Sequence, residues 1–536
     1  MTQIDPIFAA VTAPGTPFEI GERDGMRCFF NAPPDLNMLI ESARAHGEKT
    51  FIVEGARRLS FAETFTLRDA LAAELGIARG DRVAICMRNC AEWMLGFLAV
   101  MRCGGVAALI NSRGSPAELC AMVEDIGADI VLADAARAAL LREGGFTGRI
   151  ISAEDFPAAG ATPLPVALAS ADDPVAILFT SGTTGRVKGA ILTHKNLITG
   201  IMAVQLAGLM VLHNTADSLG IPVETIMANM PQQATLQVYP LFHISGLGSA
   251  FLSPFLSGSK IVILPRWDPE EALRLVAAEK ITQFTGVPTM LWDVLNRGRI
   301  GDADLSSLRN IGTGGQALPV NLLDAIRDVA PQAVMGTGYG LTETAGSVAM
   351  AVGEDFIRNR TSAGRVLDLV EMTINAPPGE PGEILVRGPM VMAGYWNQPE
   401  ETAAVLSDDG WFRTGDVGTV DAEGFVFIVD RKKDMVISGG ENIYCAEVER
   451  VMGEMAGVAE CAAFGIPDER LGELLVAVVL GEPEESKIIA HVGEKLARYK
   501  APGKVAFVNA PLPRNDVGKV DKIKLRAMWP DLIGVD

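Results

Sequence analysis

Phe179-Thr-Ser-Gly-Thr-Thr-Gly-Arg-Val-Lys-Gly-Ala190 is the stretch whose reading decides the fold. It follows an apolar run over 174–179 and precedes a helix start at Thr193-His-Lys-Asn196. Glycines permit tight dihedrals and let backbone approach a ligand closely. Consecutive backbone N–H groups in such a turn cup phosphate oxygens. Ser181, Thr183 and Thr184 add hydroxyls, and Lys188 adds a positive charge. A Gly/Thr-rich surface turn is the plain alternative. The loop departs from the nucleotide-triphosphatase pattern, in which Ser or Thr follows the lysine to hold magnesium. Gly189 stands there instead. Nor is it a GxGxxG turn. It predicts phosphate handling with magnesium held from elsewhere in the chain.

Outward from this loop, strand and helix signals alternate. Strands are predicted over 81–86, 104–110, 130–132 and 174–179, with a helix over 91–101. Before them lie a helix over 36–46, a strand over 51–53 and a helix over 59–75 closed by Gly76 and Gly80. Further strands are predicted over 236–242, 260–264 and 281–285. Such alternation implies βαβ units, an α/β protein of mostly parallel sheets with packed helices. The Pro- and Ala-rich residues 156–170 read as a surface connection. After about Val366 the texture changes: a turn cluster at 377–382, then short strands at 383–387 and 417–429, the latter broken at 421–424. That is a small β-rich antiparallel subdomain over about 366–430. Beyond it, a helix over 446–452, strands over 461–464 and 474–480 and a helix over 485–496 make a small α+β unit. The division expected is a large N-terminal domain over 1–430 and a small mobile C-terminal lid over 431–536.

The chain has 536 residues, 49% of them hydrophobic and 21% charged. That is material for several folding units at roughly 150 residues each, and it excludes a disordered chain or a disulfide-stapled module. The net charge of −20 repels phosphate backbones, so broad nucleic-acid binding is excluded. Seven cysteines without a CxxC pair offer little to a zinc or redox site. The N-terminus lacks a basic start and an apolar core, so no signal peptide is expected. The apolar stretches 93–110 and 201–212 are interrupted or short, and no transmembrane segment is expected. A cytoplasmic enzyme is the default, with a homodimer as a weak expectation.

Downstream residues answer the question of the magnesium. Met335-Gly-Thr-Gly-Tyr-Gly-Leu-Thr-Glu-Thr344 offers Tyr339 as a flat face for a base, Thr342 as a hydroxyl for phosphate and Glu343 as a hard oxygen ligand for Mg2+. Gly410-Trp-Phe-Arg-Thr-Gly-Asp416 ends in a carboxylate suited to two ribose hydroxyls. Asp430-Arg-Lys-Lys-Asp-Met-Val-Ile-Ser-Gly-Gly-Glu-Asn-Ile-Tyr444 follows, and then Pro513-Arg-Asn-Asp-Val-Gly-Lys-Val520. In this order and over essentially the whole chain, these motifs resemble the adenylate-forming superfamily. Its members are acyl-CoA synthetases, including fatty-acid and 4-coumarate-type CoA ligases, firefly-type luciferases and peptide-synthetase adenylation domains.

The resemblance implies specific roles. Thr180, Ser181, Gly182, Thr183, Thr184, Gly185 and Lys188 would form the pyrophosphate loop. Gly314, Gly315 and Tyr339 would border adenine, with Gln316, Gly338 and Gly340 beside them. Thr342 would touch the α-phosphate and Glu343 would hold magnesium. Asp416 and Arg431 would hold the ribose. Lys433 would be the lid hinge and Lys519 the adenylation lysine. His243 aligns with a gatekeeper of the acyl pocket. Val187 and Cys445 stand where proline is usual, and Gln316 is larger than usual.

The implied chemistry suits these residues. Attack of a carboxylate on an α-phosphate brings two anions together, and Lys519 and magnesium would neutralise them. Positioning and charge then replace a covalent nucleophile. For the second half-reaction, a lid that withdraws Lys519 and presents Ser438, Gly439 and Gly440 would open a path for the CoA thiol. Nine basic residues between Lys495 and Arg526, against only Asp516 and Asp521, read as a surface for triphosphate and CoA phosphates, with RNA binding as the weaker alternative.

After His243, Ser245, Gly246 and Ser249 leave volume, and residues 201–212 and 226–236 offer flexible apolar walls. No Arg or Lys there would grip a second carboxylate. The expectation is an ATP-dependent acid–CoA ligase for a hydrophobic monoacid, a medium- or long-chain fatty acid first and a hydroxycinnamate second. Loading of a carrier protein in trans, luciferase-like oxidation of the adenylate and a non-catalytic interaction protein are the remaining readings. His194 reads as helix-start packing, Arg413 as an orienter of residues 411–416, and Cys445 as inert.

Overall fold

Short apolar strands ending in glycine or in a capped helix build the two large sheets of this computed structural model. The structure describes residues 6–23, 25–158, 169–181, 187–297, 300–314, 320–431, 434–438, 441–515 and 518–533. Among these residues, one sheet has seven strands. Its parallel part runs through Pro174–Ser181, Val106–Leu109, Arg82–Cys86, Ile130–Ala133 and Arg149–Ser152. The helix Ala91–Arg102 crosses between its first strands and is buried along nearly its whole length.

The second sheet has thirteen strands. Thr50–Glu54, Lys260–Ile263, Ala234–Gln237, Gln283–Gly286, Asn310–Gly314 and Val334–Leu341 are parallel. From Gly346–Val352 onward the pairing turns antiparallel, through Gly364–Val366, Phe425–Arg431, Phe412–Val420, Gly382–Arg387 and Glu371–Asn375. The expected β-rich region is therefore present, but as the continuation of the large sheet. A five-stranded sheet with its own apolar cores makes the C-terminal unit.

Several boundaries differ from expectation for local reasons. The helix expected over 59–75 begins at Phe61, because Arg57–Ser60 pairs with Thr50–Glu54 as a hairpin. Ser60 then caps the helix in a reciprocal box with Glu63. The strand expected over 236–242 stops at Gln237. Beyond it the Asn89 amide bridges the Tyr239 carbonyl (2.8 Å) and the Leu241 N–H (3.0 Å), satisfying in a turn the groups a ladder would have used. The connection expected over 156–170 lies largely outside the described residues.

The glycine-rich loop also differs from its reading. A second strand, Val187–Thr193, intervenes before the helix and pairs antiparallel with Pro174–Ser181, setting Lys188 opposite Thr180. Thr193 caps the following helix, His194–Leu219, in a box with Asn196. This helix runs 26 residues, and by length and composition it is apolar enough to cross a membrane. Its first half packs in the core, where the His194 Nδ1 accepts from the Leu36 N–H at 3.0 Å. That is the packing part expected of His194.

Candidate active site

The parallel strands of the large sheet end in Gly286, Gly314 and the Gly338–Gly340 region, beside the hairpin that carries Lys188. The carboxyl ends of parallel strands are where such folds bind ligands. A single cavity of about 2440 Å³ opens there. It is lined by Thr180, Lys188, His243, Ser245, Ser249, Gly314, Gly338, Gly340, Thr342, Glu343, Asp416 and Lys519, all named from sequence. These residues span 340 positions of chain, and the fold brings them to one space.

Short turns and a two-residue strand set the polar groups of this cavity. Thr342–Thr344 is a 3-10 turn closed by Ala345 in the left-handed region at φ 50°. The Thr344 hydroxyl lies within hydrogen-bond distance of the Leu341 and Gly346 carbonyls (3.1 and 2.8 Å) and accepts from the Leu341 N–H, pinning the turn. Glu343 is buried, and the Tyr395 hydroxyl donates to its Oε1 at 2.9 Å. Burial, then the Glu343 charge, pushes the Tyr395 phenol far up, so it stays a donor. Tyr395 was not legible in sequence. Its only signal was an aromatic after Gly394, in a two-residue strand pairing with the Lys188 strand.

Lys519 sits in a turn closed by a bridge between Arg514 and Val520. The Asn515 N–H donates to the Lys519 carbonyl (2.8 Å), and the Lys519 N–H donates to the Asn515 Oδ1 (3.0 Å). Gly518, at φ 83°, supplies the tight bend and faces Val287 of the large domain. His243 lies across the cavity. Burial, and then the nearby Lys519 charge, lowers its pKa to about 4, so the imidazole is neutral. Its Nδ1 accepts from the Ser245 N–H at 3.3 Å.

Other expected residues sit differently. Tyr339 does not line the cavity; its ring is buried and its hydroxyl donates to Asp416 Oδ2 at 2.8 Å. It orients the carboxylate, because strand alternation turns its side chain away from the glycine face. Gly246 is also off the wall: a Cβ there would lie 2.0 Å from the Pro240 carbonyl oxygen. Ser438 pairs within the lid sheet and is not in the cavity, which holds Lys519. Arg431 ends a strand opposite Asp416. Arg413 pairs with Glu383 at 2.9 Å. Cys445 is buried and donates to the Asp434 carbonyl, and its thiol is pushed far up by burial, as an inert residue would be. The side chain of Ser181, and all of Gly182, Thr183, Thr184, Gly185, Gly315, Gln316, Lys433, Gly439 and Gly440, lie outside the described residues.

The basic stretch also needs correction. Lys495, Lys500, Arg514, Lys522 and Lys524 pair with Glu454, Glu447, Glu460, Glu449 and Asp521 inside the lid. Lys522 is mostly buried, and Glu449 holds its pKa up against the cost of burial. Five of the nine charges are thus spent on lid structure, and apart from Asp521 their acidic partners come from residues 447–460, outside the window that looked unopposed.

Among the described residues, no three carboxylate, imidazole or thiol groups converge as a metal cage. One fixed carboxylate beside the Thr342 hydroxyl nevertheless fits magnesium, which keeps waters and leans on substrate phosphates.

Comparison with known proteins places the chain in a family. Residues 39–396 match the AMP-binding enzyme family, and residues 447–519 match the AMP-binding enzyme C-terminal domain. A feruloyl-CoA synthase from Amycolatopsis is 36% identical, over 91% of this chain and 97% of its own length. A long-chain-fatty-acid–CoA ligase from Mycobacterium tuberculosis is 33% identical, over 88% and 93%. The o-succinylbenzoate CoA synthetase of Bacillus subtilis, solved with its acyl-adenylate intermediate, superposes with a TM-score of 0.76 at 30% identity, covering 92% of this chain and 98% of that one. The chain thus belongs to the AMP-binding enzymes, the adenylate-forming superfamily whose motifs its sequence carries in order.

Proposed function

We propose that this chain, an AMP-forming acid–thiol ligase, activates a ring-bearing hydrophobic monocarboxylic acid of the arylpropenoyl or arylalkanoyl class. The observation that carries the reading is the cavity floor. Gly312 and Gly314 lie in register with Gly336 and Gly338 on the neighbouring strand, and all four line the cavity. The four contribute no side chain to a patch about 5 Å wide, and although Thr285 leans over Gly312 and Val352 over Gly336, the end at Gly314 and Gly338 stays open. A flat floor of that width suits a planar ring, whereas an alkyl chain needs only a groove. Val204, Gln205, Gly208 and Leu209 of the long helix form the opposite wall. The feruloyl-CoA synthase relative supports the same class, so the fatty-acid expectation gives way to the aryl one.

Within this reading ATP and CoA are substrates. Lys188 and the loop it follows hold the pyrophosphate, and Asp416 holds the ribose. Lys519 lies between carboxylate and α-phosphate, and neutral His243 borders the acyl group without adding charge. Glu343 and Thr342 would hold magnesium, which neutralises phosphate charge when bound. A long-chain acid is the second reading. The cavity continues past the glycine floor to Asn310, Val334 and Gln332 at the opposite strand ends, and the mycobacterial relative is named for such acids.

An acid panel separates them. With ATP, magnesium and CoA supplied, coumarate and ferulate are expected to exceed decanoate and acetate by about tenfold or more in kcat/KM. Decanoate as the best substrate would favour the second reading, and acetate as the best would reject both. Running the same acids with a purified carrier protein in place of CoA tests the acceptor.

A further inference from the structure

The Lys188 ammonium has two partners on the cavity wall. It forms an ion pair with Glu401, which projects from the helix Pro399–Val405 on the cavity wall. The same ammonium lies 5.1 Å from the centre of the Tyr395 ring. Lys188 exposes 10% of its side chain and Glu401 40%. The lysine is therefore fixed in place, while the carboxylate has solvent to turn into. The Thr402 hydroxyl, which accepts from the Tyr395 N–H at 2.9 Å and donates to the Gln398 carbonyl at 2.8 Å, ties the Glu401 helix to the Tyr395 segment.

This geometry sets up a competition. A carboxylate left in contact with the ammonium would stand beside the phosphate oxygens that Lys188 is read to bind, and like charges at that range repel. The pair must therefore open when phosphate arrives and reform when it leaves. We propose that Glu401 is a positioning residue of the adenylation reaction: it holds Lys188 in place between turnovers, competes with pyrophosphate for that ammonium, and so weakens pyrophosphate binding and speeds its departure. The proposal rests on the reading of Lys188 as a pyrophosphate ligand.

Titration calorimetry of the full chain with magnesium pyrophosphate, and separately with AMP, tests it. Glu401→Gln and Glu401→Ala are expected to tighten pyrophosphate about fivefold, the scale of a partly exposed ion pair, and to leave AMP unchanged. In steady state the pyrophosphate inhibition constant falls by the same factor. A merely structural loss would weaken both ligands. Lys188→Met is expected to weaken pyrophosphate and to abolish the effect of Glu401→Gln in the double variant. If Lys188→Met weakens pyrophosphate but neither Glu401 variant tightens it, the proposal for Glu401 is wrong and the loop reading stands. If Lys188→Met leaves pyrophosphate unchanged, the loop reading fails and takes the proposal with it.

Discussion

His243 shows what a single residue owes to its surroundings. Its pKa of about 4 lies below the ordinary 6.5, chiefly from burial and then from Lys519. The unfolded chain therefore takes up this proton as pH falls through 6.5, while the folded chain does not until about 4. Stability from this group is present above pH 6.5 and is lost across that window. Between pH 7 and pH 5 the parent is expected to lose about 1–2 kcal/mol more unfolding free energy than His243→Gln. Urea melts at the two pH values check this, and parallel losses would mean that His243 titrates normally. At this scale Lys188, Thr342, Glu343, Asp416 and Lys519 were legible as candidates through the motifs that carry them, and the fold lines one cavity with all five. Tyr395 and Glu401 were not. Their partners lie 52 and 213 positions away, and no local pattern records such a pairing.

Two elements departed from expectation through hairpins with their chain neighbours, and a third because a distant group satisfies its backbone bonds. Residues 236–242 had a strand pattern, but Asn89 captured the turn after Gln237. Directly after it, Ser245–Leu252 forms a π-helix, a widened coil frequent at functional sites. Gly246 lets that coil lie against the Pro240 carbonyl. Gly246→Ala would force backbone against backbone, with no flexible side chain to yield. It is expected to cost about 1–3 kcal/mol in thermal or urea unfolding and to raise KM for the acid more than for ATP. Unchanged stability together with an unchanged KM would remove this contact from the account. By contrast, Arg82–Cys86, Ala91–Arg102 and Pro174–Ser181 matched expectation closely, since buried strands and a buried helix declare themselves by apolar runs between glycine and turn signals.

The whole molecule adds the orientation of the lid. Lys519 faces the cavity while Ser438 stands outside it, the arrangement the proposed function assigns to adenylation. The Asp430 carboxylate accepts from the Ala446 N–H at 3.3 Å, so the strand leading to the lid also caps the lid's first helix. Lys519→Ala is expected to slow formation of the acyl-adenylate by about 10²–10³-fold, the scale of losing one preorganised charge at a transition state. Transfer from supplied acyl-AMP to CoA should persist at near the parent rate, because that step needs the lid turned away. Single-turnover assays of each half-reaction check both; equal losses would contradict a lid that exchanges Lys519 for Ser438.

The sequence alone determined the reaction class, the order of the motifs and the existence of a C-terminal unit carrying the lysine. The reaction class and the role given to that lysine follow from the resemblance these motifs bear to the adenylate-forming enzymes, while the phosphate-handling character of each motif follows from glycine freedom, hydroxyls and charge acting locally. Only the tertiary structure decided that Tyr339 serves Asp416, that Glu401 occupies Lys188, that the lid's cations are mostly paired within the lid, and that glycines of two strands lie in register as a floor. Each of these is a contact between groups distant in the chain. Only folding, which sets strand register and brings such groups within a few ångströms, selects which of the many possible partners is met.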